Sequence, residues 1–334
     1  MMALQIILSL APVMLLALVL LLLDSYKLVR GTAAVSSLLQ GAAAAVVCMG
    51  LNLLFIHKLQ MEVILYSRYL APIIEEGAKA LPVYLLIRKK HIGFLVDAAI
   101  HGAAVGAGFA VVENMYYLHE LAEPSLMIWF VRGFGTAIMH ASCTALFAIL
   151  CKRRHDQPGR STLAAWGPAW LAAAFLHSTF NHFILPPLLS TLVILVTFPA
   201  CIIAVYERSE RSLRKWLTLS MDEEMALLEM ILSGRFSGSK FGQYLLSLRD
   251  HFSPAVVVDL LCYLRIYLEL AIRAKGILLL RQHGLPAAPD AALREKFAEF
   301  RYLDRSIGRT GKLALAPFMR IEGRELWQLY MLEK

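Results

Sequence analysis

Charge is what this chain has least of. Only 17% of its 334 residues are Asp, Glu, Lys or Arg, against 58% hydrophobic, and the mean hydropathy is positive. That balance excludes an ordinary soluble domain and fits a polytopic membrane protein. Cysteine is also scarce, and Cys48, Cys143, Cys151, Cys201 and Cys262 are scattered along the chain. Their spacing makes neither a disulfide framework nor a zinc finger, and four of them sit in apolar runs as small hydrophobes. No internal repeat, low-complexity linker or HExxH helix is present. The piece Gly308–Lys312, GRTGK, lacks both the spacing of a phosphate loop and a strand before it, and reads as a turn.

What is abundant is apolar sequence of membrane-crossing length, about 20 residues per run. Seven spans are expected, over 3–23, 32–56, 69–87, 96–118, 133–151, 163–185 and 188–205. The first has no basic stretch ahead of it and no small-residue cleavage site, so it is expected to be retained. Residues 126–130, with Trp129, are expected near the interface. The fold class is therefore all-α: a membrane helix bundle over residues 1–206, followed by a cytoplasmic helical region over 207–334.

The net charge of +8 does not point to nucleic acid, because the basic residues collect where apolar runs end. Arg88, Lys89 and Lys90, then Lys152, Arg153, Arg154 and Arg160, then Arg208, Arg211, Arg214 and Lys215 mark one side. The loop with Glu120 and Glu123 and the Pro186-Pro187 turn carry no Lys or Arg and mark the other. The positive-inside rule puts the C-terminus in the cytoplasm and, with seven spans, the N-terminus outside. The expected location is a cell (inner) membrane, and the lipid bilayer is the first partner.

Beyond residue 206 the pattern is amphipathic. Helices are expected over 222–232 and 291–303, the latter opened by Pro289 and Asp290. A long helix over 255–280 starts at Ser253-Pro254, an N-cap with proline at the first helical position. Asp259, Arg265, Glu269, Arg273 and Lys275 interrupt that helix at helical intervals, which favours a cytoplasmic helix packed on one face over an eighth span.

Against this apolar background, Ala71–Lys79, APIIEEGAK, places Glu75, Glu76 and Lys79 inside an expected span. A charge at bilayer depth costs about 2.5–3.5 kcal/mol on insertion scales, so such residues mark function by default. Glu113 and Asn114 follow in the next span, His140 in the one after, and His177 and Asn181 in the sixth. Measured from the outer ends of alternating spans, Glu75, Glu113, His140 and His177 lie roughly 8–12 Å deep at 1.5 Å per residue, in one layer. Glu75 and Lys79 share a helical face, as do Phe109 and Glu113, and His177 and Asn181. Glu75 and Glu76 diverge by about 100°, so one is expected to face a shared cavity and the other to brace a neighbouring helix or bind water. His101 and His182 read as packing residues, Asp97 as reaching the inner interface, and Gly102, Gly106 and Gly108 as close-packing positions.

EEGAK, the run FAVVEN over Phe109–Asn114, the lone His140 and HSTFN over His177–Asn181 together resemble the PrsW family of intramembrane proteases, related to the type II CAAX prenyl endopeptidases. The resemblance covers residues 69–185. Glu113 stands where the CAAX enzymes place histidine and Lys79 where they have arginine, and both differences favour the PrsW branch. The resemblance implies hydrolysis of a peptide bond in a single-pass membrane protein, such as an anti-sigma factor, on its extracytoplasmic side.

Peptide hydrolysis needs an activated water, an oxyanion donor and a proton for the leaving amine. Glu75 is the expected general base, with Glu76 beside it, and His177 and Asn181 are the expected oxyanion donors. Lys79 is expected to offset the carboxylate charge, and Asn114 to support the site. Glu113 and His140 either help hold the water or bind a metal. Glu113, His140 and His177 form the His-His-Glu composition of several zinc sites, leaving Glu75 as base. A metal-free glutamate mechanism needs the same residues. The competing readings are a proton-coupled transporter, for which repeats and broken helices are missing, and a non-catalytic membrane scaffold.

Overall fold

The structure, a computed structural model, describes residues 2–24, 27–89, 91–121, 125–157, 162–283, 285 and 292–319. Lys90, Glu123, Arg160, Pro289, Asp290 and Ala291, used in the expectations above, lie outside the described residues. Among those described there is no strand, so the architecture is all-helical.

Each expected span contains a helix. In chain order these are α1 (Met2–Leu22), α2 (Gly31–Leu59), the short α3 (Val63–Leu65), α4 (Ala71–Arg88), α5 (Leu95–Glu120), α6 (Leu126–Phe130), α7 (Ala137–His155), α8 (Thr162–Asn181) and α9 (Pro187–Leu232). Two π-helical segments, Tyr66–Leu70 and Val131–Thr136, join α3 to α4 and α6 to α7 without a break. Five of these helical runs are long and apolar enough to cross a membrane: Met2–Leu22, Gly31–Ile56, Leu95–Glu120, Leu126–His155 and Pro187–Ser209. The helix α4 carries Glu75, Glu76, Lys79 and Arg88 within 18 residues, which keeps it below that standard of apolarity.

Differences in boundaries have local causes. The sixth expected span stops at Asn181 because Phe183 adopts a left-handed conformation, φ 45°, which ends the helix before the Pro186-Pro187 turn. The helix α9 runs on to Leu232 instead of ending near Val205 and restarting at Asp222. Trp129 is buried within the bundle, where α6, the π-helical segment and α7 form one continuous run.

The chain divides into two compact units, Met1–Ser209 and Glu210–Lys334. In the first, α5 is the central helix, and 16 of its 26 residues are buried. The run of Ala and Gly along α5 lets two neighbours approach at backbone distance. A Cβ on Gly108 would strike the Leu38 carbonyl of α2, and one on Gly106 would strike the His140 carbonyl of α7. Asp97 is buried in the first turn of α5. Its two oxygens accept from the Gly93 and Phe94 N–H groups at 2.7 Å each and so cap the start of α5.

The second unit holds α10 (Lys240–Ser247), α11 (Pro254–Gln282) and α12 (Ala292–Leu315). The helix α11 buries Leu260, Leu264, Ile266, Tyr267, Leu268 and Leu270 in one core with Leu293, Phe297, Leu303 and Ile307 of α12. GRTGK lies within α12, which bends at Gly308, φ 60°, a conformation open to glycine. Lys275 is fully buried and pairs with Glu224 at 2.7 Å.

Candidate functional site

The helices α4 and α7 begin at the end of the bundle where α5 and α8 finish, so the polar residues of all four meet there. A cavity of about 440 Å³ opens at that end, lined by Glu75, Glu113, Arg132, His140, His177 and Asn181 among others. Its wall is completed by apolar and aromatic groups such as Phe109, Tyr116 and Tyr117. Convergent polar and charged groups beside an apolar and aromatic wall suit a site that binds and orients a polar bond.

The adjacent glutamates take different environments, as their 100° separation requires. Glu75, 12% exposed, faces the cavity. Its Oε1 accepts from Asn52 Nδ2 of α2 at 3.3 Å, and its Oε2 stands 3.9 Å from His177 Nε2. Glu76 is 1% exposed and lies behind that wall. Its Oε1 accepts from Lys79 Nζ at 2.5 Å and is 2.9 Å from His177 Nδ1, while Oε2 has no hydrogen-bond partner among the described residues. Lys79 therefore neutralises Glu76, three residues away, and not Glu75, with which it was expected to pair. The i,i+3 contact wins because His140 and Phe109 hold the ammonium on that side: Nζ is 2.9 Å from His140 Nδ1 and 4.6 Å above the Phe109 ring.

An ammonium only donates, so His140 Nδ1 accepts from Lys79 and a neutral ring carries its proton on Nε2. That Nε2 lies 2.7 Å from Glu113 Oε2, in a contact without hydrogen-bond alignment, and Glu113 Oε2 is left buried and unsatisfied. Glu113 Oε1 accepts from Arg132 Nη2 at 3.2 Å. His177 has the opposite polarity: with Nδ1 donating to Glu76, Nε2 faces the cavity and Glu75. His140 and His177 meet edge to face, with ring centroids 4.8 Å apart.

Two expected site residues are engaged elsewhere. Asn114 is buried away from the cavity, where Nδ2 donates to the Ser9 carbonyl of α1 at 2.7 Å and Oδ1 accepts from Arg132 Nε at 3.0 Å. Asn181 lines the cavity, but its Nδ2 donates at 2.9 Å to the carbonyl of Ser67 in the first π-helical segment, leaving one amide hydrogen for other use. His101 bonds Ser37 at 2.8 Å, and His182 packs its ring edge on Tyr69, 4.9 Å between centroids.

The expected metal set also changes. Glu75, His140 and His177 each offer a ligand atom within 4.8 Å of the others, so Glu75 takes the place given to Glu113. Glu113 is drawn aside by Arg132. Two imidazoles and a carboxylate are a zinc-type donor set, and their ligand atoms all lie within 4.8 Å of one another. His177 has the carboxylate behind it that a metal-bound imidazole usually has. His140 has Lys79 in that place, so it fits by distance and less well by hydrogen bonding. By composition and distance the residues fit an ion.

Sequence reasoning missed Arg132, Asn52 and Tyr66. Arg132 was detectable as the one charge in the otherwise apolar run from Leu126 to Cys151, and it stacks 3.6 Å over the Tyr117 ring. Asn52 is a lone amide late in α2. Nothing in the sequence singles out Tyr66.

A family model described as PrsW family intramembrane metalloprotease matches residues 30–205. Protease PrsW of Clostridioides difficile (strain 630) is 33% identical over 90 residues, which cover 26% of this chain and 36% of that protein. The match thus spans about a third of the relative's length. No solved structure matches the chain.

Proposed function

Since this chain belongs to the PrsW family of intramembrane metalloproteases, we propose that it hydrolyses a peptide bond in a single-pass membrane protein of the anti-sigma-factor kind. Cleavage falls near the extracytoplasmic side of a cell (inner) membrane. The chain crosses that membrane seven times through residues 1–206, with the N-terminus outside and residues 207–334 in the cytoplasm. In support, the cavity lies at the end of the bundle away from Arg88 and the Lys152–Arg154 cluster.

One observation carries the assignment of roles. Of the carboxylates gathered at the site, Glu76 is paired with Lys79, Glu113 with Arg132, and Glu120 is exposed to solvent at the cavity's edge, while Glu75, 3.9 Å from His177 Nε2, faces the cavity with no Lys or Arg partner among the described residues. Glu75 is the carboxylate left to act. It takes a proton from water as the water oxygen attacks the scissile carbonyl carbon, then returns it to the leaving amine as the C–N bond breaks. General acid–base transfer of this kind contributes about 10²–10⁴-fold. Asn181, through its remaining amide hydrogen, and His177, when Nε2 carries a proton, donate to the oxyanion. Glu76 and Lys79 hold the two histidines from behind.

A second reading is favoured by the clustering of Glu75, His140 and His177, which would hold a zinc ion. When bound there, such an ion would supply Lewis-acid chemistry to the carbonyl and the attacking water. Glu75 would then be a ligand rather than the base.

The test of the protease is incubation of wild type, Glu75→Gln and His177→Ala with a panel of single-pass membrane proteins in liposomes. Cleavage by wild type alone is expected, and one pattern shared by all three would remove the assignment. Metal analysis with a chelator control separates the two readings. Full activity in metal-free protein leaves the glutamate route, and loss of activity restored by zinc leaves the other.

A further inference from the structure

The side of Glu75 away from His177 is held by a two-residue relay from outside α4. Tyr66, buried in the first π-helical segment, places its hydroxyl 2.7 Å from Asn52 Oδ1, and Asn52 Nδ2 lies 3.3 Å from Glu75 Oε1. The polarity of this chain follows from chemistry. An ionised carboxylate only accepts, so Asn52 must turn its NH₂ group to Glu75 and its oxygen to Tyr66, whose hydroxyl must then donate. Reversing the amide would set oxygen against oxygen at Glu75. Each partner thus fixes the next, and Glu75 Oε1 is engaged while Oε2 remains toward the cavity and His177. We infer that Asn52 and Tyr66 are positioning residues that select which oxygen of Glu75 receives the proton of the attacking water. This inference rests on the base role given to Glu75 above.

Three features favour positioning over mere packing. Asn52 and Tyr66 both line the same cavity as Glu75. The hydroxyl and the amide are matched in both donor and acceptor sense, with no other partner recorded for either group among the described residues. The segment that carries Tyr66 is itself fixed to α8, since the Ser67 and Arg68 carbonyls accept from Asn181 Nδ2 at 2.9 Å and Ser178 Oγ at 2.6 Å. The relay and the helix bearing His177 therefore share one anchor.

The test uses the full chain in liposomes with the fastest-cleaved member of the single-pass panel as probe. Tyr66→Phe removes one oxygen and keeps the ring; Asn52→Leu keeps approximate volume. Each is expected to lower kcat about 10-fold, within the range that small misplacements of a reacting group produce, with KM unchanged. Because Tyr66 acts only through Asn52, adding Tyr66→Phe to Asn52→Leu should cause no further loss. Losses that multiply, a change confined to KM, or an unchanged kcat would each overturn the inference. If Asn52→Leu does not fold, kcat and KM of Tyr66→Phe decide alone. Cleavage by Glu75→Gln at the wild-type rate would instead remove the base role itself, an outcome distinct from an inactive Glu75→Gln beside fully active relay variants.

Discussion

Lys79 Nζ sits 2.5 Å from Glu76 Oε1, with both side chains sealed from solvent. A buried pair adds little net stability, but removal of one partner leaves a stranded charge. Lys79→Met is expected to destabilise the protein by about 3–5 kcal/mol. The double variant Lys79→Met with Glu76→Gln should recover much of that loss, read as the midpoint of unfolding in detergent.

Glu75 offers a sharper chemical comparison. Glu75→Gln keeps the side-chain shape and still accepts from Asn52, but cannot take a proton. As a base, it should lose at least about 10²-fold in kcat with metal content equal to that of wild type. As a ligand, activity and zinc content should fall together. The first outcome is expected, because Asn52 already holds Oε1 and Lys79 compromises His140 as a ligand. Metal analysis of the purified variant reads the difference.

Gly106 tests how the site depends on the close approach of α5 and α7. A methyl there would lie 2.6 Å from the Ala141 Cα and strike the His140 carbonyl. Backbone cannot give way as a side-chain tip can, so Gly106→Ala should cost about 1–3 kcal/mol. It should also lower cleavage beyond what the loss of folded protein explains, since His140 moves with the backbone. Activity per folded molecule is the measurement.

In the second unit, Lys275 is fully buried beside Glu224. Lys275→Met should destabilise that unit by about 3–5 kcal/mol and raise amide exchange along α11. Stability of Met1–Ser209 should change less, because both members of the pair belong to Glu210–Lys334.

What the sequence made legible was the energetically expensive part. Charges in apolar runs announce themselves, so Glu75, Glu76, Lys79, Glu113, His140 and His177 were identified from cost alone, and alternation of the spans brought them to one end. Which atom faces which was not legible. The i,i+3 and i,i+4 spacings both let Lys79 reach a glutamate, and the choice depends on His140 and Phe109, about 60 and 30 residues away. Asn181 and Asn114 looked alike as amides near charges. Their donors go to the carbonyls of Ser67 and Ser9, which any residue would supply and no motif records. Arg132 was passed over because the expected span began one residue later, at Gly133.

The two π-helical segments stand one turn ahead of the residues that matter, Tyr66–Leu70 before Glu75 and Val131–Thr136 before His140. A π turn accommodates a residue more than an α turn before the regular winding resumes. Each segment therefore works as a slip coupling. The turns before it are offset by the extra residue, while Glu75 and His140 take the angular phase of the turns after it. The winding upstream of each segment is in this way disconnected from the aim of the side chains that follow it.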